Sequence, residues 1–434
     1  ILAAPTGRAA RRMNELTGLP SATIHRHLGL NGDNDYQAMD DYLDCDLIII
    51  DEFSMVDTWL ANQLFSVIAS TTQVIIVGDS DQLPSVGPGQ VLSDLLKIDT
   101  LPQLALTKIF RQSEDSTIVT LANQMRQGQL PADFTQKKPD RSYFEASATY
   151  IPNMIAKIVQ SAVKSGINPQ EIQILAPMYR GAAGINRLNT IIQDLLNPLD
   201  NQQDFAFGEM SFRKGDKILH LINDAELNVF NGDIGYITDL IPAKYTESKQ
   251  DELYLSFDGN EVIYPRNEWH KITLAYAMSI HKSQGSEFQV VILPITHQSR
   301  RLLQRNLIYT AITRSKSKLV MLGELAAFDY AIKNEGDKRK TYLVQRFSND
   351  NLAQETAEKQ VETPQETATP ENQNYQNVAV PADTAVEEQI QLTLDIDNQV
   401  EQETQAYRLT EENIPFIDPM IGLTTADIER FFKS

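Results

Sequence analysis

The 434-residue sequence predicts an α/β protein with parallel sheets, a small antiparallel β-barrel inserted into it, and a disordered acidic tail. Three observations predict this. Short apolar runs alternate with amphipathic stretches through most of the chain, as in parallel sheets covered by helices. Residues 205–270 break that rhythm with alternating segments punctuated by Asn-Gly and Asp-Gly turns. From about residue 347 the composition shifts to Gln, Glu, Thr, Pro and Asn, which cannot bury enough apolar surface to offset the entropy of ordering.

Strands are expected at residues 46–50 (DLIII), 73–77 (QVIIV), 171–176 (EIQILA), 290–293 (VVIL) and 318–322 (KLVML). Each ends in polar or glycine-bearing residues, where α/β proteins place ligand loops. Residues 57–69 and 116–126 read as amphipathic helices. The barrel segments are 215–224, 231–241 and 251–265, and the helix/strand alternation is expected to resume at residue 272. Residues 347–409 read as a disordered linker. Residues 410–434 turn apolar again in NIPFIDPMIGLTTADIERFFKS, either a short helix folded back on the body or a peptide that docks on a partner protein.

The formal charge of −20 is uneven. Residues 347–434 hold 4 Lys and Arg against 18 Asp and Glu, leaving 34 against 40 for the rest. A global basic field for nucleic acid is absent, so any such binding must use a local groove. The single Cys45 excludes a disulfide framework and a cysteine zinc site and fits a reducing, cytoplasmic setting. No apolar run approaches the 18 or so residues of a membrane span. Ile1 falls inside what reads as a strand, so the chain is expected to be a fragment whose true N-terminus lies upstream.

The strongest chemical signal is DLIIIDEFSMVD at residues 46–57. An apolar strand ending in Asp51 and Glu52 puts two carboxylates at the rim of a sheet. One can hold Mg²⁺ through its water shell, and the next can orient and deprotonate a water that attacks a γ-phosphate. Asp-Glu alone is more often a solvated strand end. The next strand changes that: in QVIIVGDSDQLPSVGPG, Gly78 and Asp79 leave at the same rim and Gln82 follows near the γ-phosphate position.

With LAAPTGRAA (2–10), TIHRHL (23–28), LTKIFRQ (106–112), LAPMYRGAAGINRLN (175–189), FNGDIG (230–235), AYAMSIHKSQGSEF (275–288) and LIYTAITRSKSKL (307–319), these segments form an ordered series over roughly residues 1–325. The series resembles superfamily 1 DNA helicases of the RecD/TraA type. The resemblance implies two RecA-like domains, here 1–104 and 105–204 continued at 271–346, with an SH3-like barrel at 205–270 inserted in the second. It implies ATP and Mg²⁺ as cofactors, 5′ to 3′ movement on single-stranded DNA, and binding at junctions of single- and double-stranded DNA.

Matched by motif, Asp51 coordinates Mg²⁺, Glu52 is the catalytic base and Gln82 senses the γ-phosphate. Arg111 and Arg314 are two arginine fingers from the second domain, suited to this because a guanidinium stays charged and engages two oxygens. Asp79, Gln284, Gly285 and Glu287 fall to the nucleotide site, the last three coupling nucleotide state to DNA grip. Thr6, Arg8, Thr23, His25, His281 and Lys282 carry over as DNA contacts, with Asn231 and Gly232 at a barrel turn that lines the DNA exit in the family or is simply a β-turn. His25 and His281 also fit as satisfied structural histidines.

One departure is clear. No G-x-x-x-x-G-K-[ST] phosphate loop occurs in these residues, and in the family it lies shortly before LAAPTGRAA. Truncation explains this, and the fragment alone is expected to turn over little ATP. Two rival readings are a conjugative or RNA-directed relative, and a non-catalytic assembly subunit acting through its acidic tail.

Overall fold

A computed structural model describes residues 1–30, 42–106, 116–200, 203–224, 226–336 and 339–347. Arg111, the linker and the apolar C-terminal segment lie outside the described residues.

The first sheet comes from β1 (Leu2–Ala4), β2 (Ala22–Thr23), β3 (Leu47–Ile50) and β4 (Gln73–Ile76), all parallel in the order β2-β1-β3-β4. Helices α1 (Gly7–Thr17), α2 (Ile24–His27), α3 (Thr58–Ser66) and α4 (Val91–Leu95) connect and follow the strands. Helix α1 starts where Thr6 Oγ1 accepts from Ala9 N (3.2 Å) and stops at Gly18, whose φ of 70° suits the left-handed position that ends helices. Helix α3 starts on Asp57, whose Oδ1 accepts from Leu60 N at 2.7 Å. Ala3, Ile48, Ile50, Phe53, Leu60 and Leu64 form the core beneath. Because β3 is interior, its C-terminal end delivers Asp51 and Glu52 to the middle of the sheet rim. Strand β4 forms an edge of this sheet, with Ile75 and the following Val77 about two-fifths exposed at 41% and 42%.

The chain continues through α5 (Thr117–Arg126), β5 (Arg141–Glu145), α6 (Ile151–Lys164), β6 (Ile172–Ala176) and α7 (Ile185–Leu196). Every residue of β6 is buried, as expected of a parallel strand covered on both faces.

A small antiparallel module follows. Strands β7 (Asp204–Phe207) and β8 (Met210–Arg213) make a hairpin whose Phe205, Phe207 and Phe212 pack around Trp269. Strands β9 (Lys217–His220), β10 (Ile234–Ile241), β11 (Glu252–Phe257), β12 (Asn260–Pro265) and β13 (Ile272–Leu274) form one sheet ordered β12-β11-β10-β9-β13. Strand β13 corrects the sequence expectation. The α/β alternation does not resume at residue 272, because Ile272–Leu274 pairs antiparallel with β9 and Thr273 stands opposite Leu219. Three residues carry too little periodicity to reveal this from sequence.

His220 in β9 is fully buried between the Ile222 carbonyl at Nδ1 (2.8 Å) and the Tyr264 hydroxyl at Nε2 (2.7 Å). A carbonyl and a hydroxyl satisfy the neutral ring with its proton on Nδ1. Burial holds the ring's pKa at about 4, below the ordinary 6.5. The unfolded chain therefore binds more protons between these values. Stability is fully present above about pH 6.5 and falls as pH drops toward 4, with a span of a few kcal/mol at most. Denaturant unfolding from pH 7 to 4 should show this slope, and His220→Gln should flatten it. An equal slope in both proteins would refute the assignment.

Strands β14 (Ala277–Ser279), β15 (Phe288–Ile295) and β16 (Ser315–Gly323), with α8 (Arg305–Thr313) and α9 (Leu325–Lys333), complete a second parallel sheet ordered β14-β6-β15-β16-β5. Strands β5 and β14 were not expected. The first reads RSYFE, too polar to signal a strand, and the second has only three residues. Among the described residues no helix is long and apolar enough to cross a membrane.

Candidate functional site

The ends of β3 and β4 build one wall. Asp51 N donates to Ala3 O (3.0 Å) and Phe53 N donates to Val77 O (2.9 Å), so the turn between them is held by the strands on both sides. Within it Glu52 takes the left-handed conformation, φ 52° and ψ 38°, and its N–H donates to Asp51 Oδ1 at 2.8 Å. A non-glycine residue there is strained, and such strain gathers at functional sites. Gly78 is required beside it: a Cβ there would lie 3.1 Å from the backbone nitrogens of Phe53 and Ser54 and 2.8 Å from Leu92.

A hydrogen-bond chain then crosses from the first sheet to the second. Asp79 Oδ2 accepts from Tyr309 Oη (3.0 Å) and from Gln82 Nε2 (3.2 Å), and Gln82 Oε1 accepts from Arg314 Nη2 (3.1 Å). Leu83 N donates to Thr310 Oγ1 (2.8 Å), and Gln284 Nε2 donates to Leu83 O (3.0 Å). Arg314 is 2% exposed and also donates from Nη1 to Ser286 O at 3.3 Å. Burial and the nearby Asp79 both push the Tyr309 hydroxyl above its usual pKa. Asp81 next to this chain is likewise raised, first by burial and then by Asp79, against the opposing pull of Arg126.

A second cluster forms where α1, the barrel turn at residues 230–233 and the loop at 281–288 meet. Gly7 admits the Phe230 ring, which would lie 2.6 Å from any Cβ. Gly285, φ 72°, faces Thr6 Oγ1 at 3.3 Å from its Cβ position. Lys282 Nζ donates to Asn231 Oδ1 at 2.5 Å, tying the second domain to the barrel. Arg11 pairs with Asp258 and, at 3.4 Å, with Asp233, while Arg12 pairs with Glu287 at 2.8 Å.

Comparison with known proteins fits this layout. Residues 1–146 match the AAA domain family, residues 188–257 the SH3 domain of ATP-dependent RecD-like DNA helicases, and residues 274–322 the UvrD-like helicase C-terminal domain. The chain is 32% identical over 346 residues to the ATP-dependent RecD2 DNA helicase of Deinococcus radiodurans, covering 80% of this chain and 46% of that protein. The chain belongs to the RecD-like helicases. It is also 28% identical over 366 residues to the RecBCD enzyme subunit RecD of Mycolicibacterium smegmatis, covering 77% of this chain and 63% of that one. It thus spans about half of the first relative and under two thirds of the second. Among solved structures, a Pif1 helicase studied at forked dsDNA is similar at 20% identity over 82% of this chain and 87% of that one, with a TM-score of 0.47.

In this RecD-like chain the structure gathers Asp79, Gln82, Gln284 and Arg314 into one network beside the turn of Asp51 and Glu52. Gly285, Glu287, Thr6, Arg8, Asn231 and Lys282 gather at the junction, near His281. Thr6 and Thr23 are helix caps: the Thr23 hydroxyl accepts from Arg26 N at 3.1 Å, leaving each hydroxyl a proton to donate. Arg8 turns inward, over the Phe288 ring at 5.7 Å, and burial holds its guanidinium below its usual pKa. Its Nη1 is buried with no hydrogen-bond partner among the described residues. Burial likewise lowers the His25 pKa, against the opposing charge of Asp57.

Sequence reasoning passed over Tyr309 and Thr310. They lie five and four residues before Arg314 in YTAITRSK, so helical spacing alone would have placed them on a neighbouring turn. Arg11 and Arg12 carried no such signal, since their partners lie more than 220 residues away.

Proposed function

We propose that this chain is the motor portion of an ATP-dependent DNA helicase that moves 5′ to 3′ on single-stranded DNA and opens duplexes at junctions, in repair or recombination. The observation that carries the reading is the Asp79–Gln82–Arg314 chain. It joins a strand end of one parallel sheet to an arginine of the other, as needed where charge developing on a phosphoryl group is met by a cation delivered across a cleft.

In this reading Glu52 accepts the proton of the attacking water, Gln82 meets the γ-phosphate, and Arg314 neutralises it, with Arg111 as a second finger. Asp51 would hold Mg²⁺. A single half-buried carboxylate with one oxygen already engaged by Glu52 N fits a cation that keeps most of its own waters. When bound, the ion supplies charge neutralisation for the phosphates. Gln284, Gly285 and Glu287 relay cleft closure to the junction, where Thr6, His281, Lys282 and Asn231 meet the DNA backbone, while Thr23 at the end of β2 and His25 in α2 add contacts from the first sheet and Arg8 packs behind.

The exposed edge of β4, unusual for a parallel sheet, supports a further strand there that brings the phosphate loop. The 434 residues alone are then poor ATPases. The RecBCD naming of one relative supports a protein partner for this chain too, with residues 410–434 as the docking segment in a cytoplasmic assembly.

The test is ATP turnover by the intact protein with and without single-stranded DNA. Strong stimulation by DNA is the expected result. Turnover that ignores DNA, or none at all, would overturn the reading.

A further inference from the structure

After α9 the chain returns to the first sheet. Its root is pinned to the second domain: Asn334 Nδ2 donates to Leu303 O, and Arg305 N donates to Asn334 O, both at 2.7 Å. Arg305 Nε adds a bond to Ile332 O, also 2.7 Å. Gly336, φ 75°, crosses close to Gln304, whose side chain would lie 2.7 Å from a Cβ.

Three residues on, Arg339 grips the other domain. Its Nη1 donates to Gly87 O and Gly89 O at 2.6 Å each, and to Ser85 Oγ at 3.3 Å. Its Nη2 donates to Ser85 O at 2.6 Å. One guanidinium thus holds three carbonyls of a single turn, a task for its rigid fork of donors that a lysine cannot reproduce. Leu343 then packs on the core of the first sheet.

The gripped turn has little room of its own. A Cβ on Gly87 would lie 1.9 Å from Asp57 Oδ2, and one on Gly89 would lie 1.8 Å from Thr58 Oγ1. Thr58 N donates to Pro88 O at 2.9 Å. The turn is therefore seated on the start of α3, the segment that continues directly from Asp51 and Glu52. Its other end is Gln82–Leu83, which meets Arg314, Thr310 and Gln284. From Gly336 to Arg339 the backbone reaches at most about 10 Å, so grip and root cannot separate far as the domains move.

We propose that Arg339 is a positioning residue: a short tether from the second domain that fixes the turn at 85–89 and, through it, the placement of Gln82 relative to Glu52. The inference rests on the ATP-driven reading above for its functional consequence, but the tether itself can be tested without turnover.

The experiment compares the intact wild-type protein with Arg339→Ala and Arg339→Lys by hydrogen exchange and by steady-state ATP turnover on single-stranded DNA. In Arg339→Ala the amides of Gln82 and Leu83 should exchange about tenfold faster. The kcat should fall by about ten- to a hundredfold, with KM for ATP and DNA affinity within about twofold. Arg339→Lys should recover little of either. A local staple would loosen only residues 85–89, leave Leu83 protected, and keep the kcat of the folded protein; that result overturns the proposal. Should the alanine variant fail to fold, the lysine variant decides by the same two readouts. A wild type without turnover would refute the helicase reading, while exchange at Leu83 still decides the tether.

Discussion

Glu52→Gln in the intact protein should bind ATP within a few-fold of wild type yet hydrolyse it about 10²- to 10⁴-fold more slowly. The amide keeps the shape of the side chain and removes its ability to take a proton. The backbone gives this prediction a second arm. Glu52 sits at φ 52°, held there by Asp51 N on Ala3 O and Phe53 N on Val77 O. A left-handed conformation costs a non-glycine residue about 1–2 kcal/mol. Glu52→Gly should therefore match or exceed wild-type stability in denaturant unfolding while losing hydrolysis. The chain would then be spending fold stability to aim one carboxylate. Wild-type turnover in Glu52→Gln would sink the general-base assignment, and a large loss of stability in Glu52→Gly would sink the strain argument.

Arg314→Ala should lower single-turnover hydrolysis about 10³-fold, the scale of losing an arginine that neutralises a transferred phosphoryl group. ATP affinity should change far less. Because Arg314 Nη2 bonds Gln82 Oε1 and Gln82 Nε2 bonds Asp79, the two residues act as one unit. Gln82→Ala in the Arg314→Ala background should then cost much less than Gln82→Ala alone. Fully additive losses would show that the chain across the cleft is incidental. Since Arg314 is buried, folding of each variant needs to be checked by thermal unfolding before its rate is read.

The parts of the site legible from sequence were those carried by a single local segment. Asp51 and Glu52 follow an apolar strand, and Asp79 and Gln82 follow another; strand ends in parallel sheets gather at one rim, so sequence position already implied spatial proximity. Arg314 was legible through the segment around it. The strands at β3, β4, β6, β15 and β16 were visible because each carries a continuous apolar run, covered on both faces in β6 and most of β15 and left partly exposed in the edge strand β4. By contrast, β5 is half polar, and β13 belongs to the barrel sheet although its sequence follows the barrel's last visible turn.

What the sequence determined by itself was therefore which side chains stand at the strand ends and the sign and place of the tail's charge, since both reside in consecutive residues. Only the tertiary structure decided how the pieces join. Arg8 was legible as a basic residue, but its place over the Phe288 ring depends on a contact 280 positions away. Arg11 meets Asp233 and Asp258, Arg12 meets Glu287, and Arg339 meets the carbonyls of residues 85–89. Such partners share no period and no motif. A charged side chain reads the same in sequence whether it faces water or a carbonyl two hundred residues away, and folding alone distinguishes the two.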